Sequence, residues 1–211
     1  MDCLLSQSMI IYINRKQINI KIVMPRISKP DTHSGDDGTT STIQGKRVYK
    51  DVLLIKAFGT LDELNSAIGL ILACNNLPVS FANILQSIQN TLFHLGSDLD
   101  LTAEINNKPL QPHIEDKHIT DLNNLITKIY SDVGPLKNFT HPGGSETAAR
   151  LHMARAICRR AERDVIALSH KTKIGSLAIT YLNRLSDALF LMARSENKRE
   201  GFQEKIWDSH D

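Results

Sequence analysis

Apolar residues recur at three- and four-residue spacing along five stretches of this chain, the period of a helix that buries one stripe. In the first stretch Leu64, Ala67, Ile68 and Ile71 follow Thr60-Leu-Asp-Glu63, a capping-box pattern that predicts a helix start at Thr60. A second helix opens at Pro78 or Ser80 and carries Phe81, Ile84, Leu85, Ile88, Leu92 and Leu95 on one face. Asn106 to Pro112 breaks the chain, and a third helix runs from about Glu115 to Tyr130 through Ile119, Leu122, Leu125, Ile126 and Ile129. Gly134-Pro135 and Pro142-Gly-Gly144 bracket a non-helical connector holding Leu136, Lys137, Asn138 and Phe139. A long fourth helix, capped by Gly144 or Ser145, fades near His170 to Gly175; its apolar face is Leu151, Ala154, Ile157, Cys158, Ala161, Val165 and Leu168. The fifth covers roughly Ser176 to Ser195, with Leu182, Leu185 and Leu189 inward. Five helices with short connectors predict an all-α fold, a five-helix bundle.

The polar sides of the last two helices change the picture. Arg155, Arg159 and Arg163 sit four residues apart and form one ridge, where three guanidiniums repel unless acids or an anion lie opposite. Glu162 offsets only part of that charge. An isolated Arg-rich helix is more often a solvated face. Here Asn183 and Asp187, also i,i+4, place a second polar row beside an apolar one, so the two helices form walls suited to an anionic ligand.

A second donor set lies upstream. Pro30 to Lys50 reads as turns, and Gly35-Asp-Asp-Gly38 leads into Thr39, Thr40, Ser41 and Thr42. The order is not that of a Walker loop. Glycines followed by hydroxyls nevertheless supply backbone N–H and side-chain donors in the manner of an anion-binding nest, with Lys46, Arg47 and Lys50 close behind. A nucleoside triphosphate suits these donors together with the Arg ridge. Phe139 has two readings, a plug capping the bundle end or a surface that presses on a large ligand.

Composition narrows the class. A chain of 211 residues suits one main domain, placed at 25–200 between an extension over 1–24, expected to be disordered, and a tail over 201–211. A formal charge of +2 is too weak to make nucleic acid or an anionic membrane the main partner. Three distant cysteines argue against a disulfide framework and for a reducing compartment such as the cytoplasm. The histidines show no zinc spacing, and His113 and His118 read as surface residues; no protein-held metal is assigned. No apolar run, that of Met9 to Ile13 included, is long enough to span a bilayer.

Gly35-Asp-Asp-Gly-Thr-Thr-Ser41, Gly45-Lys-Arg-Val-Tyr-Lys-Asp51, Gly59-Thr-Leu-Asp-Glu-Leu-Asn-Ser66, Leu136-Lys-Asn-Phe139, Pro142-Gly-Gly144, Cys158-Arg-Arg-Ala-Glu-Arg163 and Tyr181-Leu-Asn-Arg-Leu-Ser-Asp187 together resemble the PduO-type ATP:cob(I)alamin adenosyltransferases, in order and spacing, over about 27–197. The resemblance implies a homotrimer of five-helix bundles with ATP and the corrinoid at each subunit interface. It implies transfer of the 5′-deoxyadenosyl group of ATP, with Mg2+, to the cobalt of cob(I)alamin, releasing triphosphate. Thr32, Ser34, Gly35 and Lys50 are then expected to hold the triphosphate, with Arg159, Glu162, Arg163 and Asn183 completing the nucleotide site from the neighbouring subunit. Asp62 would pair with Arg155 across the interface. Phe139 would press on the lower face of the corrinoid, with Asp187 also at that substrate. A reductase and an adenosylcobalamin-dependent client enzyme are implied partners. Two segments depart from the family pattern, Pro30-Asp31-Thr32-His33-Ser34 and Thr140-His141, and the second makes the wall beside Phe139 more polar. The rival readings are a non-catalytic nucleotide-binding helical bundle and a kinase or ligase, which would transfer phosphoryl or release diphosphate.

Overall fold

The computed structural model describes residues 33–42, 45–100, 104–105, 108–109, 112–136 and 138–208. Five helices dominate: α1 (Leu53–Leu72), α2 (Val79–Asp100), α3 (Asp116–Val133), α4 (Glu146–Ser169) and α5 (Ser176–Arg199). Helix α4 packs against α1 on one side and α5 on the other, α2 lies on α1, and α3 lies on α5. The seam is built from the stripes read in the sequence, with Leu64, Ile68 and Ile71 meeting Leu151, Cys158, Leu182, Leu185 and Leu189, all buried. Alanines at 148, 154, 161, 178 and 188 in the core let helix backbones approach closely. Cys158 belongs to that core. Its Sγ donates to the Leu182 carbonyl at 3.3 Å, and burial pushes its thiol far up, so it is an inert packing residue.

Three expectations are corrected. Helix α1 starts at Leu53, not Thr60, because Leu53 and Leu54 pack against the core and extend the stripe upstream. Thr60 is mid-helix. Its hydroxyl faces the Lys56 carbonyl at 3.1 Å and the buried Asp164 carboxylate at 2.8 Å, so the capping-box residues answer to a tertiary partner on α4. The Gly-rich loop ends in a short antiparallel hairpin, β1 (Thr39–Ser41) with β2 (Arg47–Tyr49), Thr40 opposite Val48. A second, minimal pair, β3 (Glu104–Ile105) with β4 (Lys108–Pro109), occupies the break before α3. His118 is half-buried, not a surface residue: its Nδ1 accepts the Glu115 N–H at 3.0 Å and its ring meets His94 edge-on at 5.8 Å.

The C-terminal tail is part of the architecture. Thr140 and Ile206 form an antiparallel bridge, the Trp207 N–H donates to the Phe139 carbonyl and the His141 N–H to the Lys205 carbonyl, each at 2.8 Å. Arg194 anchors this strap from beneath. It is 7 % exposed and donates to Glu204 at 3.0 Å and to the Gly134 carbonyl at 2.7 Å, tying the tail and the end of α3 to α5.

The turn before α4 is held just as firmly. Asn197 accepts from the Ser145 N–H through Oδ1 and donates to the Gly143 carbonyl through Nδ2, both at 2.9 Å. Ser145 then caps α4 by accepting the Ala148 N–H at 3.2 Å. Gly144 lies at φ 107°, and a Cβ there would stand 1.9 Å from the Asn197 Oδ1. Gly144→Ala therefore combines backbone strain with loss of the Asn197 clamp, and should cost about 1–3 kcal/mol in chemical denaturation. An unchanged denaturation midpoint would show that the turn is not clamped as described.

Candidate functional site

The Arg ridge occupies the outer side of α4, opposite its core face. Arg159 and Arg163 are exposed, and the Arg163 guanidinium donates to the Arg159 carbonyl at 3.0 Å, one turn back. Arg159 makes no ion pair among the described residues, so a full cationic charge is presented without a counter-ion. Arg155 is half-buried. Its guanidinium lies 5.8 Å from the Phe190 ring centroid, and its buried Nε has no partner among the described residues. Burial first, and the charge of Arg159 second, hold its pKa below the ordinary value. His152, one turn earlier, also packs on Phe190 and keeps its Nδ1 unsatisfied; burial and then Arg155 lower its pKa, favouring the neutral ring. A buried donor left bare on a cationic ridge is costly unless a ligand or partner completes it.

Helix α5 supplies the facing row. Asn183 donates to Glu162 Oε1 at 3.2 Å, and its own Oδ1 accepts from Arg184 at 3.1 Å. Arg184 also approaches Asp187 at 3.7 Å. Glu162 is thereby engaged laterally by Asn183, leaving Arg159 uncompensated. Asp62 is half-buried in the interior of α1, away from its start, and forms no ion pair within the chain among the described residues.

The hairpin loop forms a compact donor set of its own. Lys50 turns its Nζ onto the Gly35 carbonyl at 2.8 Å, and its backbone N–H donates to the Gly38 carbonyl at 3.0 Å. Arg47 reaches the Ser34 carbonyl and Asp37, whose carboxyl is held below its usual range chiefly by the Thr39 hydroxyl and N–H. Gly35 is buried and Ser34 exposed. Thr32 lies outside the described residues.

Phe139 is 79 % exposed, which excludes the bundle-end plug. Its ring meets Trp207 edge-to-face, centroids 6.3 Å apart. The residues that position it, Arg194, Asn197, Glu204 and Trp207, escaped sequence reading. The one available signal was a lone tryptophan in a polar tail.

Among the described residues no three His, Cys, Asp or Glu side chains converge on a metal-sized point. No helix among the described residues is long and apolar enough to cross a membrane.

Known proteins resemble this chain over most of its length. Residues 31–196 match the family model described as cobalamin adenosyltransferase. The chain is 38 % identical over 182 residues to a cobalamin adenosyltransferase of Cupriavidus metallidurans, covering 86 % of this chain and 95 % of that one. It is 40 % identical over 190 residues to the corrinoid adenosyltransferase MMAB of Homo sapiens, covering 89 % and 76 %. Among solved structures, a variant PduO-type ATP:corrinoid adenosyltransferase from Lactobacillus reuteri complexed with cobalamin and ATP superposes with a TM-score of 0.79 at 32 % identity, over 86 % of this chain and 97 % of that one.

Proposed function

The chain belongs to the cobalamin adenosyltransferase family, and from that premise we propose how its own residues carry out the transfer. The enzyme moves the 5′-deoxyadenosyl group of ATP to the cobalt of cob(I)alamin. Co(I) is the nucleophile: the cobalt–C5′ bond forms as the C5′–O bond breaks, and triphosphate leaves with the electron pair. A metal-centred nucleophile needs no activating base. The protein's tasks are alignment and neutralisation of the leaving group.

The observation that carries this reading is the ridge left uncompensated among the described residues, with Arg159 outside any ion pair, Arg155 bare at a buried Nε, and Glu162 held aside by Asn183. Arg159 and Arg163 meet the triphosphate. Asn183 and Glu162 set the nucleotide's position, while Ser34, Gly35 and Lys50, with Thr32, cradle the remaining phosphate oxygens. Phe139 covers the lower face of the corrin, where Asp187 also contributes, and keeps an axial base from cobalt. A homotrimer supplies the hairpin from one subunit and the ridge from the next. In the cell, the cytoplasm or the mitochondrial matrix, a reductase would feed it and a client enzyme would take its product.

Incubation with ATP and chemically reduced cobalamin should give the adenosylcobalamin spectrum and one triphosphate per turnover. Diphosphate, or nucleotide binding with no corrinoid product, would favour the rival classes. The assembly has its own check. Asp62→Asn should weaken the trimer in sedimentation and lower turnover by roughly threefold to tenfold, the effect of removing one partner of a part-buried ion pair. A charge swap, Asp62→Arg with Arg155→Asp, that recovers association would establish the pairing. An intact trimer in the single variant would remove it.

A further inference from the structure

The bridge between the Phe139 connector and the tail sorts their side chains onto two faces. Thr140 and Ile206 oppose each other as a non-hydrogen-bonded pair, since the bonds on either side run from the N–H of Trp207 to Phe139 and from the N–H of His141 to Lys205. Side chains alternate along a strand, so Phe139, His141, Lys205 and Trp207 share the face opposite Thr140 and Ile206. The Phe139–Trp207 ring contact agrees with that assignment, as does Glu204, which points the other way onto the buried Arg194. That shared face therefore carries an exposed aromatic pair, Phe139 79 % and Trp207 51 % exposed, beside a pair of basic residues.

We infer that His141 and Lys205 form a holding site for the phosphodiester of the corrinoid's displaced nucleotide tail. The inference rests on the assignment of Phe139 to the lower face of the corrin. A corrinoid whose lower base is kept off cobalt still carries that base on a ribose-phosphate arm hanging from the same side of the ring. The arm bears one negative charge and must lie near whatever covers the lower face. Beside Phe139 the fold provides a lysine ammonium and an imidazole N–H, donors suited to phosphate oxygens in either protonation state of the ring. The Arg194–Glu204 anchor keeps Lys205 in register opposite His141, so the two donors act as a pair. The polar substitution beside Phe139 is thereby a specificity feature, favouring corrinoids that bear the phosphate over those that lack it.

The test compares corrinoids that differ only in this arm. Trp207 is the only tryptophan in the chain, and corrin absorption quenches indole emission, so binding is read at the site without turnover. Equilibrium dialysis supplies a second reading. The double variant His141→Gln/Lys205→Met should bind cobalamin and cobinamide phosphate about tenfold more weakly, as expected for lost charge-assisted contacts at an exposed site. Cobinamide, which has the ring but no phosphate, should bind within about twofold of wild type. Equal weakening of all three, unchanged cobalamin binding, or weakening of cobalamin without cobinamide phosphate would each overturn the assignment. Adenosylation of cobinamide by the wild-type enzyme tests the parent reaction separately, because that substrate does not use the phosphate site.

Discussion

Replacing Arg159 with alanine should lower kcat/KM for ATP by on the order of a hundredfold to a thousandfold, with the fold intact. Arg159 is exposed and has no ion-pair partner among the described residues, so its removal leaves no buried acid stranded and creates no cavity. A stability effect is therefore not expected. The kinetic effect follows from where charge develops. As the C5′–O bond breaks, negative charge grows on the departing triphosphate, and loss of one preorganised donor aimed at such charge costs about 2.7–4 kcal/mol in other enzymes. A donor that merely bound ATP would change KM with little change in kcat. Arg159→Lys separates charge from geometry, since it keeps the charge and loses the planar fork, and should recover only part of the rate. Arg163→Ala should do less, because the Arg163 guanidinium is partly spent on the Arg159 carbonyl. ATP kinetics unchanged in a folded Arg159→Ala protein would return the ridge to the solvated face that an isolated Arg-rich helix usually is.

Phe139→Ala should divide the reaction into its two halves. The ring is mostly exposed, so truncation should cost little stability, in contrast to the 3–5 kcal/mol of a buried phenylalanine. ATP binding should also be unaffected. The loss should appear when cobalt has to be reduced in the site. An axial base donates electron density to cobalt and opposes its reduction, and a bulky ring on the lower face keeps the base away. With cob(II)alamin and a weak reductant such as reduced flavin, the rate should fall by roughly a hundredfold, the scale of one misplaced group in a preorganised site. With cobalamin already reduced by a strong chemical agent, most of the rate should return. The ratio of the two rates, variant against wild type, is the measurement. Equal loss under both regimes would mean that Phe139 only supports the corrin, and no loss under either would remove it from the site. Trp207→Ala should move the same ratio in the same direction by less, because it removes the edge that steadies Phe139 but leaves the ring itself.

The number and class of the elements were legible along the chain because helical burial is a local periodic property. Leu64, Ile68 and Ile71, or Leu182, Leu185 and Leu189, mark a buried stripe whatever they pack against. The Arg ridge was legible for the same reason, since i,i+4 spacing alone aligns Arg155, Arg159 and Arg163, and the cap on α4 was legible to within one residue, Gly144 or Ser145, the Ser145 hydroxyl proving to be the acceptor. The start of α1 was not legible. Thr60-Leu-Asp-Glu63 has the local chemistry of a cap, but the Asp164 carboxylate, 104 residues away, takes the Thr60 hydroxyl, and core contacts of Leu53 and Leu54 prolong the helix upstream. Phe139 could be read as plug or platform, and only its exposure ruled out the plug. The strap over the connector lay furthest beyond sequence reading. Phe202 to Trp207 shows neither helical period nor an unbroken alternation, and its place comes from distant partners: Arg194 on Glu204, Asn197 on the Gly143–Ser145 turn, and the bridge of Thr140 to Ile206. Local periodicity fixes which face of a helix is buried, whereas the pairing of a short irregular segment depends on groups that meet only after the bundle has closed, and those contacts put His141 and Lys205 beside Phe139.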